Sequence, residues 1–513
     1  MDDSHRDVLV ENVAVTVVGG ASNRGRKAWT PFLLVLIGLT VRIPQLWHPL
    51  TGSHSFRQTQ TAFAVSEFAR HGVDLLNVPL PIFGTQRSVP FEFPIFQAAA
   101  AEIVRLGVPV IPASRGLALA MFEAAAVVMY LLLRRWHGQA SAVVALGLYQ
   151  VLPFGLLWGA AVLVDFSSVT FGLLMVLLLD TFVRTGSRLA CGVALLSAWL
   201  MVLVKVTSAP TAGIWLLTGV CLALLDHRWK AVRRRALVAV LAVPASALLP
   251  LVLWTRHADN VKAQSPLTDW LTSQHLQTWN FGTVAQRLDP ATYELVLERF
   301  TGEVTGLFGL GIVFALAGIV LGRPRERILL VGLLLAVLGS PLVFWNLFVV
   351  HSYYLIAVYP AAVSLVGVGA ATCAQRLTVA GWARRAMVTL LALLVVTGAW
   401  ATPRGAADVR EYLASPPVPR LALELRRLTS PHDQIVLVDC GWSPWVLFNA
   451  DRTGLMIRPE ARADAWTDNN PGRFAYLASC LPGALPVGYL PSGYGLEATD
   501  AEEVWRIVRK PST

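Results

Sequence analysis

The chain has 513 residues, 55% of them hydrophobic and 14% charged, with a mean hydropathy of +0.57. A soluble domain carries about 25% charged residues, so polar side chains are too few here to wrap a water-soluble globule; intrinsic disorder, a collagen-like repeat and a small disulfide scaffold are excluded as well. Net charge is +10 and the pI near 9.7, yet the basic residues sit in short segments between apolar runs, a membrane-protein pattern and not a nucleic-acid footprint.

Residues 1–28 are polar, carry no cleavable signal-peptide pattern, and are expected to form a cytoplasmic N-terminal tail. Eleven spans are then expected, at 29–46, 114–134, 139–157, 168–185, 189–205, 209–226, 236–254, 304–321, 327–349, 354–373 and 385–402. Each approaches the roughly 20 residues needed to cross a bilayer as a helix. The piece 91–107 is interrupted by Glu92, Pro94, Gln97, Glu102 and Arg105 and reads as juxtamembrane or re-entrant. If the spans alternate, basic clusters at Arg24–Lys27, Arg134–Arg135, Arg184 with Arg188, Arg228–Arg235, Arg323–Arg327 and Arg376 with Arg384–Arg385 fall on one side, the cytoplasm. Loops 47–113 and 255–303, the turn at Asp165 and the tail 403–513 then share the other face, where chemistry is expected. The fold class is an all-α polytopic membrane domain over 29–402 with a small extracytoplasmic α/β domain over 403–513. In the tail, a helix at 417–428, a strand at Ile435–Val438, a short helix and a strand near Leu455 are expected. Cys191, Cys221 and Cys373 lie in apolar runs as packing residues; Cys440 and Cys480 lie in the tail, where pairing is left open.

Polar residues beside an apolar slab need a reason. The first loop holds His54, Arg57, Gln58 and Gln60, then Glu92 between two Phe and two Pro. Asp165 ends the run from Trp158, and helix capping is its alternative reading. Lys205 closes the fifth span, Arg256 and His257 open the second large loop, and His351 precedes Tyr353 and Tyr354, where an aromatic belt is the alternative. Two carboxylates and several cations on one rim suit a reaction with a phosphate leaving group: a carboxylate takes a proton from an attacking hydroxyl, and cations stabilise the departing oxygens. The chain lacks the phosphate-cradling G-x-x-x-x-G-K-[ST] loop, H-E-x-x-H, paired C-x-x-C and G-x-S-x-G patterns, which argues against ATP drive, zinc proteolysis and serine hydrolysis.

In Phe56–Ala62, Glu92–Gln97, Asp165, Lys205 and His351–Tyr354 with Pro360, the chain resembles GT-C superfamily glycosyltransferases. It is most similar to bacterial members of the protein mannosyltransferase, aminoarabinose transferase and RgtA-D-like group. The resemblance covers residues 30 to about 400, and Phe448–Gly454 is similar to tails of the same subgroup. It implies a multi-pass plasma-membrane enzyme of the cell envelope, moving a sugar from a polyprenyl-phosphate donor to an acceptor hydroxyl with inversion. The acceptor is a lipid, a polysaccharide or a protein; membrane lipids are partners and nucleic acid is not. The resemblance further implies Asp165 as base, Glu92 orienting the acceptor or sugar, and Arg57, Lys205 and His351, with Tyr353, on the phosphate. Gln58, Gln60, Arg256, His257 and Tyr354 complete the expected substrate contacts. Gln60 stands where subgroup members carry an Asp, so the usual first-loop acid is absent: Glu92 or His54 is the alternative proton acceptor to Asp165, or activity is lost. No cofactor is required and no metal ligand is assigned, although the superfamily leaves room for a divalent ion. A non-catalytic lipid-binding scaffold and a lipid or sugar transporter are the competing classes.

Overall fold

A computed structural model describes residues 21–226, 229–305, 309–376, 381–414, 417–481, 486 and 488–510. The expected N-terminal tail lies outside the described residues up to position 20; a helix, Ala21–Arg42, begins after it. Among the described residues, seven helical stretches are long and apolar enough to cross a membrane: Trp29–Trp47, Val110–Trp136, Asp165–Thr185, Arg188–Asp226, Val232–Lys262, Pro324–Val343 and Gly381–Ala401. The chain is a membrane protein built around them.

The difference from eleven expected spans has local causes. Arg188–Asp226 is 39 residues long and holds two of the expected spans. They meet at Lys205, which leaves the helical region at φ −165°, ψ 108°, ahead of a 3-10 turn at Val206–Ser208. The expected span 139–157 is split into helices Gln139–Val151 and Pro153–Trp158. Leu152, extended at ψ 146°, is the residue before Pro153, where ring sterics disfavour helix. The expected span 304–321 contracts to the 12-residue helix Leu310–Leu321, and 354–373 becomes the 18-residue helix Tyr359–Arg376 after a 3-10 turn at Ser352–Ala357. The piece 91–107 contains the helix Ile95–Arg105, whose 11 residues are too few to cross.

Hydropathy alone does not decide which helices lie inside. Asp165–Thr185 buries 72% of its most apolar window, whereas Val232–Lys262 buries 22% and presents Leu241, Leu248, Leu249 and Leu253 outward as a lipid-facing surface. At one end of the bundle, Asp180 accepts from Arg135 and Arg184, each at 2.9 Å, and Arg184 reaches Asp226 at 2.7 Å. Asp226 also pairs with Arg325, and Glu326 with Arg376. Arg135, Arg184, Arg325 and Arg376, from clusters expected to share a side, do share one end. Asp165 and Lys205 sit at the opposite ends of their helices.

The tail follows that opposite end. After helices Pro403–Leu413 and Arg420–Leu428 come, among the described residues, five strands: β1 (Gln434–Val438), β2 (Thr453–Ile457), β3 (Phe474–Ser479), β4 (Tyr494–Ala498) and β5 (Val504–Arg509). Their order is β2-β1-β3-β5-β4; β1 runs parallel to both neighbours, while β5 is antiparallel to β3 and β4. The helix, β1 and β2 match the sequence expectation; β3 to β5 were not anticipated. Cys440 and Cys480, just past β1 and β3, form a disulfide.

The first loop extends this sheet. Met456 donates to the Ile82 carbonyl at 2.9 Å, Gly454 to that of Pro81 at 2.8 Å, and Gly84 to that of Gly454 at 2.8 Å. Thr85 donates its amide to Asn469 at 2.9 Å, and Ser265 of the second large loop donates to Asp468 at 2.8 Å. Gly84 has φ +61°, and a Cβ there would lie 2.0 Å from Asn469 Oδ1. Gly84→Ala is therefore expected to loosen the tail: the left-handed backbone alone costs about 1–2 kcal/mol, and the clash adds to it. Limited proteolysis should nick the variant at 403–481 faster than the wild type; equal rates would refute the docking role.

A second joint lies between the turn Phe300–Thr305 and helix Pro403–Leu413. Thr402 Oγ1 donates to the Gly302 carbonyl at 2.7 Å, and Arg404 grips Glu298 at 2.9 and 3.0 Å. Burial, opposed by Arg404 and Arg299, pushes the Glu303 carboxyl up to about 7. Burial together with Glu303 and Glu411, opposed by Arg404, pushes Asp408 up to about 8. Carboxyls raised on folding contribute stability below their unfolded pKa values and lose it as pH rises through the folded ones. Thermal stability should thus fall between about pH 4 and pH 8, and Glu303→Gln should flatten that slope; an unchanged slope in the variant would contradict the assignment.

Candidate active site

Four charged side chains from four separate segments meet at the tail-facing end of the bundle. The helix Ser55–His71 starts at His54, held in the left-handed region at φ 50°, and its first turn presents Arg57. Gln58 anchors this turn by donating to the Ser53 carbonyl at 3.0 Å and accepting from the Val162 amide at 3.1 Å, three residues before Asp165. Glu92 is brought in because Phe93 donates its amide to the Leu203 carbonyl at 2.9 Å, two residues before Lys205. Ser168 Oγ hydrogen-bonds the Lys205 carbonyl at 2.7 Å and so locks the Asp165 helix onto the Lys205 helix.

Charges then alternate along a chain. Arg57 pairs with Glu92, Lys205 Nζ lies 3.8 Å from Glu92, and both Asp165 oxygens lie 3.0 Å from that same Nζ. Asp165 and Lys205 side chains are 4% and 6% exposed, Arg57 and Glu92 12% and 15%. Buried charges are tolerated when each has a partner, and here two carboxylates balance two cations. Burial alone would raise the Glu92 carboxyl, but Arg57 and Lys205 outweigh it and hold Glu92 below the usual carboxylate range.

Aromatic rings wall the cluster. Lys205 Nζ sits 4.8 Å from the Tyr354 ring centre and 5.1 Å from that of Tyr353. His54 packs 4.8 Å from Tyr353, 5.0 Å from His351 and 5.5 Å from Trp158. Burial pushes His54 down to about 4, with His351 and Arg299 adding to the shift. Burial likewise pushes His351 to about 4, helped by Lys205, Arg299 and Arg57. Both rings are neutral at pH 7.

The structure therefore brings together His54, Arg57, Gln58, Gln60, Glu92, Asp165, Lys205, His351, Tyr353 and Tyr354. Gln60, at the position of the missing Asp, accepts from Arg57 at 3.0 Å. Arg256 and His257 are not in this group: Arg256 points to solvent, and His257 bonds the Leu76 carbonyl at 2.8 Å and packs on Trp254. Their helix ends beside the first loop instead of over Lys205. Trp158 and Phe56, whose ring lies 5.5 Å from that of His351, were not singled out; their only signal was position, next to His54 and at the head of the run leading to Asp165. Both carboxylates are occupied by cations, and among the described residues no three His, Cys, Asp or Glu side chains group as metal ligands.

The bundle, its first loop and the α/β tail have the same fold as solved glycosyl- and oligosaccharyltransferases. The solved structure of ArnT from Cupriavidus metallidurans bound to undecaprenyl phosphate superposes with a TM-score of 0.58 at 15% identity, covering 93% of this chain and 97% of that one. The Archaeoglobus fulgidus oligosaccharyltransferase in its apo form gives 0.54 at 11% identity, covering 90% and 70%, and the mycobacterial arabinofuranosyltransferase AftD gives 0.50 at 14%, covering 90% and 35%. No family model and no curated protein matches the sequence.

Proposed function

We propose that the protein is a membrane glycosyltransferase that moves a sugar from a polyprenyl-phosphate donor to an acceptor hydroxyl on the extracytoplasmic face. The observation that carries this reading is the Arg57–Glu92–Lys205–Asp165 chain, which draws two cations and two carboxylates into one cluster. The likeness to transferase folds, one of them solved with undecaprenyl phosphate, supports it. Arginine-rich helix ends at the opposite pole support a cytoplasmic side there by the positive-inside rule, and a disulfide in the tail is consistent with an oxidising compartment.

The donor phosphate enters between Arg57 and Lys205 and competes with the carboxylates for them. Glu92, the more exposed carboxylate and freed from Arg57, takes the proton from the acceptor hydroxyl. The acceptor oxygen bonds the anomeric carbon from the face opposite the phosphate, with inversion. The anomeric C–O bond breaks, and its electron pair leaves on polyprenyl phosphate, stabilised by the two cations. Asp165, almost wholly buried against Lys205, positions that cation. This reverses the division of labour expected from the sequence, in which Asp165 was the base, and the exposures favour the reversal. Neutral His54 and His351 line the sugar side as hydrogen-bonding and stacking walls, with Tyr353 and Tyr354. Mass spectrometry of lipids and glycans from a deletion strain tests the reading: a polyprenyl-phosphate sugar should accumulate and one glycan should be truncated. Unchanged lipids and glycans would overturn it.

A further inference from the structure

A second polar chamber lies beside this cluster, behind Trp158. Gln45, His48, Ser53, Gln58, Arg115 and Glu411 are among its walls, and it has about 40 Å³ of water-accessible space. That is room for roughly three waters, too little for a sugar ring. It sits where the end of the first helix, the first loop, the start of Val110–Trp136 and the tail helix Pro403–Leu413 come together.

Arg115 is the anomaly. It is 7% exposed, and its guanidinium donates to the carbonyls of His48 at 3.3 Å, Ala160 at 3.0 Å and Pro49 at 3.4 Å. Guanidinium has five N–H donors, so some stay unengaged, and among the described residues no carboxylate lies within ion-pair distance. Glu411, on another wall, is taken up by the amide and hydroxyl of Ser53. Two further buried polar atoms on the walls lack partners: the acceptor Gln45 Oε1 and the donor Trp158 Nε1, from side chains 5% and 2% exposed. A buried cation beside orphaned polar groups is costly unless something pairs with it.

We infer that this chamber is a binding site for a small oxyanion of the phosphate class, distinct from the Arg57–Lys205 pair. Hydrogen phosphate, or a phosphate monoester, meets the whole set: its oxygens accept from Arg115 and Trp158, and its hydroxyl donates to Gln45. Chloride satisfies only the donors.

The probe is inorganic phosphate, titrated into the purified full-length protein in detergent, with chloride at matched ionic strength as control and ³¹P line broadening as the readout. Wild type should bind phosphate and not respond to chloride. Gln45→Leu and Trp158→Phe, which leave the Arg115–carbonyl bonds in place, should each weaken binding at least tenfold. The double variant Lys205→Met, Asp165→Asn, which removes the buried pair as a neutral unit, should retain it, so the inference stands or falls apart from the transferase reading. Nanodiscs containing phosphatidic acid separate the sources: competition with phosphate there identifies a lipid headgroup, and its absence with retained phosphate binding identifies a soluble anion; either supports the site. No phosphate response, an equal chloride response, undiminished binding in Gln45→Leu and Trp158→Phe, or loss of binding in the folded Lys205→Met, Asp165→Asn double variant would overturn it.

Discussion

Glu92→Gln should lower kcat by about 100- to 10,000-fold, the usual share of a positioned general base, while the protein folds and still binds its donor. The substitution keeps the shape of the side chain and removes the proton acceptor. It also releases Arg57 from its ion pair, so the donor phosphate meets one competitor fewer, and donor KM should stay level or fall. That pairing of a lost kcat with an undiminished donor affinity is particular to a base that competes for the phosphate-binding cation. If Glu92 only shaped the pocket, kcat and KM would both worsen by a few-fold. Asp165→Asn is the companion variant: it should weaken donor binding through Lys205, and a kcat loss larger than that of Glu92→Gln would return the base to Asp165.

Lys205→Met should be the most damaging single change to the fold. Lys205 is the only cation within 4 Å of Asp165 among the described residues, and both oxygens of that carboxylate lean on it. Removing one partner of a buried pair leaves an uncompensated charge, at about 3–5 kcal/mol. The expected result is a large drop in thermal stability together with lost transfer. The double variant Lys205→Met, Asp165→Asn separates the two effects. Deleting both charges should restore most of the stability, because a neutral buried pair is tolerated, while transfer stays absent because the phosphate has lost a cation. Recovered transfer in the double variant would show that Lys205 serves the fold alone.

Much of the architecture was legible because apolar runs of helical length are hard to disguise. The helix Asp165–Thr185, the Arg135–Asp180 and Arg376–Glu326 pole and the tail's first helix and strands lie close to where hydropathy, charge and alternation place them. Breaks inside spans were less visible. Pro153 was in plain sight, yet nothing short of packing says whether a proline kinks a crossing helix or ends it. The strands β3 to β5 escaped because their burial pattern is mixed and periodicity is faint in short strands.

At the site, residue types and sidedness pointed to the right segments, but pairing could not be read. Arg57 finds Glu92 35 positions away and Lys205 finds Asp165 40 positions back, contacts set by how the Phe93–Leu203 and Ser168–Lys205 hydrogen bonds draw the segments together. Arg256 and His257 share the composition of site residues and lie beside the first loop, but their helix aims them elsewhere. The interior network in which Arg42 bonds Gln150 at 3.2 Å and Gln150 bonds Glu123 at 2.6 Å was also invisible. Each member sits in an otherwise apolar run that gives no hint of the other two.

The most direct measurement is release of polyprenyl phosphate. Purified protein in proteoliposomes is supplied with lipid extract from the deletion strain, together with acceptor-bearing envelope material, and free polyprenyl phosphate is followed by mass spectrometry. The account predicts time-dependent release by the wild type, matched by loss of the sugar-bearing lipid, and background release by Glu92→Gln. Release that is equal in the two proteins, or absent from both while the sugar-bearing lipid persists, would contradict it.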